Sequence, residues 1–423
     1  MDKIIVLDFG SQYSHLICRR IREFSVYAEL VPYDISPQEL KQMNPKGIIF
    51  SGGPSSVYND NAPIPDEELF DFELPLLGIC YGHQLIVNKF GGKVKRANKE
   101  YGSSLLSMDE NSRLLDGLGN SIRAWMSHGD EAEEIPSNFE IIGHTENSHA
   151  AAIANKERTV FGIQFHPEVV HTERGTDILK NFVVNVCQAK QEWTMEGFVD
   201  KTVAEISKIE GNVLCGVSGG IDSTVAALLI HKAIGNRLTG VFVDNGLLRL
   251  KESEEIEDMF KNNFSLNFHR IDASEKFLSK LKGVTDPERK RKTVGEEFIK
   301  VFSDFAKEKG SFNWLAQGTL YPDVIESGVS KGPAAVIKSH HNVGGLPEWL
   351  NLKILEPLRE LYKDEVRDVA RILGVPERLL KRHPFPGPGL SVRIIGEVTP
   401  SKLSISRKAS KIVEDELWNA GIY

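Results

Sequence analysis

Short apolar runs of strand length alternate with helical patterns along this chain, run out, and then start again. In the first stretch KIIVLD (3–8) is a buried-strand run, and Leu16, Ile17, Arg20 and Ile21 follow with helical spacing over 12–24. Further strand-length runs lie at 26–31, 47–50 and 74–80, and a β-rich return from 122 to 165 precedes a helix at 176–189. The pattern restarts with a helix over 195–208, a strand and loop in NVLCGVSGG and a helix over 222–233. A strand in RLTGVFVDNG, a helix over 251–261 and a strand in LNFHRID extend it. Elements in this order bury their apolar faces best as helices on both sides of a mostly parallel sheet. The expected fold class is α/β: two successive parallel-sheet α/β domains plus a short C-terminal segment. The domains are placed at 1–192, 193–390 and 391–423.

Composition narrows the function classes. The chain has 423 residues, 41% hydrophobic and 26% charged, the balance of a globular protein rather than a fibrous or disordered one. No apolar run reaches the roughly 18 residues that span a bilayer, so no membrane partner is expected. MDKIIVLDFG places an acidic residue second and then reads as a strand, not as a secretory leader. A formal charge of −8 argues against a general nucleic-acid binder. Four cysteines do not make a disulfide framework, and a reducing cytoplasm is the expected location.

Gly78-Ile79-Cys80-Tyr81-Gly82 has the form of a nucleophile elbow with cysteine in the serine slot. A helix starting beside it turns its positive end towards Cys80 and favours a thiolate. His166-Pro167-Glu168 supplies a base and its orienter, because residues two apart on an extended segment share a face. Backbone N–H groups at Gly53, within Ser51-Gly52-Gly53-Pro54, and at Tyr81 are the expected oxyanion donors. Cys18, Cys187 and Cys215 lack such surroundings and read as small core residues. The stretches GICYGHQ, SGGPSSVY and FGIQFHPEVVHT resemble the class I glutamine amidotransferase domain over residues 1–190. That resemblance implies that Cys80 forms a glutamyl thioester, that His166 passes the protons, and that Gln84 helps hold glutamine.

Ser218-Gly219-Gly220-Ile221-Asp222-Ser223-Thr224 lies between a strand and a helix. Hydroxyls, bare glycine amides and a helix N-terminus together make a polyphosphate receptor. The Walker A lysine is missing. Asp222 would repel phosphate unless a cation bridges them, and Mg²⁺ is the expected bridge; a plain helix cap is the competing reading. The loop resembles the PP-loop of N-type ATP pyrophosphatases, which implies ATP as co-substrate. The nucleoside is then expected beside Val243, at the end of the next strand. The run Asp286–Lys292 reads equally as a solvated helix face or as a basic lid over phosphates.

The stretches at 314–327, 338–350, 361–370 and 382–393 are similar to the synthetase half of the glutamine-hydrolysing GMP synthetase family. This resemblance implies that xanthosine monophosphate (XMP) is adenylated by ATP and that ammonia from glutamine then displaces AMP. It implies an XMP site at Arg382, His383, Pro388 and Gly389, and places Lys338 and His340 near the phosphates or the adenylate. His340-His341 lacks metal-ligand spacing, so no zinc is expected. Lys363 and Arg367 have a competing reading as a charged helix face. The family continues into a dimerisation domain and tail, whereas this chain stops at Tyr423. Weak XMP binding and no stable family-type homodimer are therefore expected. The last helix, 404–419, places Ile405, Ala409, Ile412, Val413 and Leu417 on one arc.

Overall fold

The computed structural model describes residues 1–110, 112–329 and 352–423. The chain divides into two compact units, Met1–Thr194 and Met195–Tyr423.

In the first unit the strands are β1 (Lys3–Asp8), β2 (Tyr27–Pro32), β3 (Gly47–Phe50), β4 (Leu76–Ile79), β5 (Lys93–Met108), β6 (Ser121–Glu134), β7 (Phe139–His144), β8 (Ala152–Asn155) and β9 (Val160–Ile163). They form one sheet in the order β2-β1-β3-β4-β9-β8-β7-β5-β6. The sheet is parallel from β2 to β9 and antiparallel from β9 to β6. The change has a local cause. Helices Ser14–Arg22, Pro37–Met43 and Tyr81–Lys89 separate the early strands, whereas β5 to β9 follow one another without a helix and pair antiparallel. Strands β3 and β4 are buried at every position, as the apolar runs GIIF and LLGI require. The helix expected over 176–189 is an α-helix, Gly175–Lys180, continued by a π-helical stretch, Asn181–Val186. The carboxyl ends of β1, β3, β4 and β9 lie on one edge, the usual place for a site in a sheet of this type.

The second unit holds β10 (Val213–Gly216), β11 (Leu238–Asp244), β12 (Phe268–Asp272), β13 (Trp314–Ala316) and β14 (Lys353–Leu355). Among the described residues they form a sheet ordered β12-β11-β10-β13-β14, parallel throughout. The strand order reverses between β10 and β13, so a ligand crevice is expected there. Asp286 caps helix Pro287–Lys309 by accepting from the Arg289 N–H at 2.8 Å, and Arg291 pairs with Glu288 on the same helix. Lys290 is buried, donating to the carbonyls of Ser391 (3.0 Å) and Ile394 (2.7 Å). The basic run is thus a helix face with one inward lysine rather than a lid. Residues 391–423 lie within this unit, where Ile394, Val398 and Leu403 join its core. Helix Pro400–Asn419 leaves Ile405, Ala409, Ile412, Val413 and Leu417 exposed. Among the described residues no helix is long and apolar enough to cross a membrane.

Candidate active sites

Cys80 closes β4 and caps the helix Tyr81–Lys89 with φ +53° and ψ −102°. A non-glycine residue rarely adopts a positive φ, and such strain gathers at functional turns. The turn is possible because its neighbours are glycines. A Cβ on Gly78 would lie 2.4 Å from the backbone of Gly82, and one on Gly82 would lie 2.5 Å from the Phe50 carbonyl oxygen. Gly82→Ala is therefore expected to cost about 1–3 kcal/mol of stability, seen as a lower thermal midpoint. An unchanged midpoint would mean that the turn tolerates the added carbon.

His166 follows β9, with Glu168 two residues on. Both are buried, and His166 Nδ1 bonds Glu168 Oε1 at 2.7 Å. Thr172 donates to the His166 carbonyl at 2.6 Å, and Tyr13 sets its ring edge-on to the imidazole at 5.5 Å. Burial opposes the charged imidazole, but the Glu168 carboxylate and the hydrogen bond with Cys80 outweigh it and raise the group to about 11. Cys80 lies beside this imidazole with the helix N-terminus behind, the pairing of nucleophile and base that covalent catalysis requires.

A cavity of 560 Å³ opens over Cys80 and is lined by Gly53, Tyr81, Gln84 and His166 among others. Every amidase residue expected from the sequence except the buried orienter Glu168 thus faces one space. Gln84 Nε2 donates to the Asp130 carbonyl at 2.9 Å. The sequence reading missed the wall made by Ser127, His128, Gly129 and Asp130 of β6. Cys80 Sγ lies 3.6 Å from the Ser127 carbonyl oxygen. His128 bonds Glu100 at 3.2 Å, and burial lowers its affinity for a proton. A signal was present: Ile122, Ala124 and Met126 alternate inward along β6, and the next inward position is His128.

In the second unit, residues 218–224 leave β10 and enter the helix Ile221–Ile234. Gly219 has φ +79°, and a Cβ there would lie 2.3 Å from Ile256 Cδ1, so glycine is required. The hydroxyls knit the loop: Ser223 Oγ accepts from the Ser218 N–H at 3.1 Å, and the Gly220 N–H donates to Ser218 Oγ at 3.3 Å. Ser218, Asp222 and Ser223 line a cavity of 420 Å³ between the ends of β10 and β13, at the reversal of strand order. Thr224 is buried, with its hydroxyl turned back onto the Gly220 carbonyl. Val243 packs into the core and does not line this cavity. Phe298 and Phe302 form an apolar wall instead, their rings stacked at 6.3 Å.

Residues 5–186 match the family described as "Glutamine amidotransferase class-I", and residues 193–299 match the family described as "NAD synthase". A protein of Alkaliphilus metalliredigens named GMP synthase [glutamine-hydrolyzing] is 53% identical over 100% of this chain and 83% of its own length. The chain belongs to the glutamine-hydrolysing GMP synthase family. A relative of that name from Caldicellulosiruptor saccharolyticus is 54% identical over 99% of this chain and 82% of its own. A solved glutamine amidotransferase from Thermotoga maritima is 19% identical, covers 49% of this chain and 86% of its own, and has a TM-score of 0.35.

Against that family the remaining expected residues are placed as follows. Lys338 and His340 lie outside the described residues. Arg382 pairs with Glu252 at 3.1 Å and Glu255 at 2.9 Å, and His383 bonds Arg249 at 3.1 Å and the Tyr423 hydroxyl at 2.8 Å. Pro388 and Gly389 end a loop docked on the segment after β11: a Cβ on Gly389 would lie 2.5 Å from the Leu247 carbonyl oxygen. None of these four lines the phosphate cavity. Lys363, weighed above as one of a charged helix face, meets Asp222 with Nζ 2.6 and 2.5 Å from its two oxygens. Among the described residues no group of three or more His, Cys, Asp and Glu could hold a metal ion. The phosphate cavity nevertheless suits Mg²⁺, because Asp222 and Asp323 both line it without a thiol or imidazole, and Mg²⁺ usually takes one or two carboxylates plus phosphate oxygens.

Proposed function

We propose that this chain aminates XMP to GMP, using ATP and glutamine. The observation that carries this reading is the 53% identity along the whole chain to a protein named GMP synthase [glutamine-hydrolyzing]. The two cavities support it chemically.

In the first unit, Cys80 Sγ attacks the amide carbon of glutamine. His166 gives its proton to the departing ammonia, while the N–H groups of Gly53 and Tyr81 receive the oxyanion. Water, deprotonated by His166, then cleaves the thioester to glutamate. Glu168 holds the imidazole in orientation throughout. In the second unit, the hydroxyls of Ser218 and Ser223 and the amides of their loop hold the ATP phosphates, and Phe298 and Phe302 offer an apolar face to the base. The purine oxo oxygen attacks the α-phosphorus and pyrophosphate leaves. Ammonia then displaces AMP, putting an amine where the oxo group stood. Asp222 and Asp323 would hold Mg²⁺, which when bound offsets phosphate charge. Arg382, His383, Pro388 and Gly389 are assigned to XMP.

The match of residues 193–299 to a family described as NAD synthase favours a second reading, amidation of another acceptor by the same two modules. One assay separates them. ATP with XMP and either glutamine or ammonium is expected to yield AMP and GMP in equal amounts. Absence of GMP with either nitrogen donor would overturn the XMP assignment.

A further inference from the structure

One wall of the Cys80 cavity is a loop, residues 51–66, without helix or strand. Loops of this length in compact domains are uncommon and usually functional. Its course is fixed at three successive side chains. Val57 is buried in the core of the first unit, while its neighbours Ser56 and Tyr58 turn away from that core. Both end on one carboxylate. Ser56 Oγ donates to Asp130 Oδ2 at 2.5 Å, and the Tyr58 hydroxyl donates to Oδ1 at 2.6 Å. The Asp130 carbonyl accepts from Gln84 Nε2 at 2.9 Å and meets His128 Nδ1 at 3.1 Å. One residue thus ties together the loop, the β6 wall and the helix that begins at Tyr81.

The β5–β6 ladder is interrupted at this point. Arg96 pairs with Asp130 and Glu100 with His128, so residues 97–99 stand opposite Gly129 alone. Irregularities of this kind re-aim side chains beside sites. Tyr58 is also 51% exposed, so ordering its ring buries little. A hydrogen bond at such a position adds little to stability; holding the loop in place is the role the geometry leaves for it.

We propose that Asp130 is a positioning residue for glutamine. Its carboxylate fixes the wall that carries Ser55, Ser56 and Asn59, and its carbonyl fixes Gln84, so that the substrate meets a preformed cavity rather than ordering one. The proposal rests on the reading of this cavity as the glutamine site.

Steady-state glutamine hydrolysis by the full chain tests it, alongside ammonium-driven synthesis and the thermal midpoint. Asp130→Ala is expected to raise the KM for glutamine about ten-fold or more and to change kcat by less than about three-fold. Ammonium-driven synthesis is expected to be unchanged. Asp130→Asn, whose amide oxygen still accepts one hydroxyl, is expected to recover most of the loss. An unchanged KM in Asp130→Ala overturns the proposal, as does an equal fall in all activities with a lowered midpoint. If Asp130→Ala does not fold, Tyr58→Phe decides: it removes one bond from a half-exposed ring, a KM raised several-fold supports the proposal, and a wild-type KM overturns it. Cys80→Ala run in parallel separates this proposal from its premise. Hydrolysis that survives Cys80→Ala removes the premise, whereas hydrolysis lost there with normal kinetics in Asp130→Ala removes the positioning role alone.

Discussion

Cys80→Ala is expected to lower glutamine-driven GMP formation by at least about 10³-fold, because removal of a covalent nucleophile leaves only binding and oxyanion stabilisation. Ammonium-driven formation is expected to persist, since the phosphate cavity belongs to the second unit and uses no cysteine. The other thiols cannot substitute. Cys18, Cys187 and Cys215 are all buried, and burial raises Cys215 to about 12 and Cys187 above its ordinary value as well, so neither of the latter two supplies thiolate at neutral pH. His166→Ala is expected to match Cys80→Ala. Glu168→Ala is expected to lose less, because Glu168 orients the imidazole and supports its charge without touching the amide. Paired measurements with glutamine and with ammonium check all three variants. Equal loss with both nitrogen donors would refute the assignment of Cys80 to ammonia production.

The parts of this site that the sequence revealed are those set by local spacing. A small-residue turn after a buried strand lifts one side chain, and an H-x-E step on extended backbone puts base and orienter on one face. Both follow from a few consecutive residues, and both recur in the structure as the Cys80 turn and the 2.7 Å pair of His166 with Glu168. The SGGIDST loop was legible for the same reason. Features set by long-range pairing were not. The β6 wall reaches the cavity through long-range packing, with Ser127 meeting Cys80 across 47 residues and Asp130 meeting Gln84 across 46. Lys363 meets Asp222 across 141 residues, and no pattern near either residue announces it. The Asp286–Lys292 run shows the converse. Charge alone left lid and helix face open, and what decides is the single lysine of the run that turns inward to two carbonyls.

Chain direction supplies what joins the legible pieces. In both units the functional loops leave the carboxyl ends of parallel strands. The loop carrying Gly53 follows β3, Cys80 follows β4, His166 follows β9, and Ser218–Thr224 follow β10. Helix N-termini begin at two of these ends, where unpaired N–H groups and the helix dipole favour an oxyanion or a phosphate. On the proposed reading the same physical device serves a cysteine nucleophile in one unit and a phosphate site in the other. The side chains placed on it differ: Cys80 with His166 in the first unit, Asp222 paired with Lys363 in the second.

Asp222→Ala is expected to abolish XMP-dependent pyrophosphate release from ATP with either nitrogen donor. Asp222 lies in the first turn of the helix Ile221–Ile234, and its carboxylate lines the phosphate cavity. It also neutralises Lys363, whose Nζ sits 2.6 and 2.5 Å from its oxygens. Removing it withdraws an oxygen donor for a cation shared with the phosphates and leaves the Lys363 ammonium without its partner. Gly220 caps this helix without a side-chain bond, so Asp222 is not its cap; if its charge served only the helix N-terminus, the change would cost about 0.3–1 kcal/mol of stability and leave turnover near normal. The two roles therefore predict different results in one assay. Asp222→Asn sharpens the distinction, because asparagine keeps the size and shape of aspartate but carries no charge for a cation or for Lys363. Loss of pyrophosphate release in both variants, with a thermal midpoint near that of the unaltered chain in Asp222→Asn, is the expected result. Near-normal release in Asp222→Asn would reduce Asp222 to a charge at the helix N-terminus and leave Asp323 as the carboxylate of the phosphate cavity.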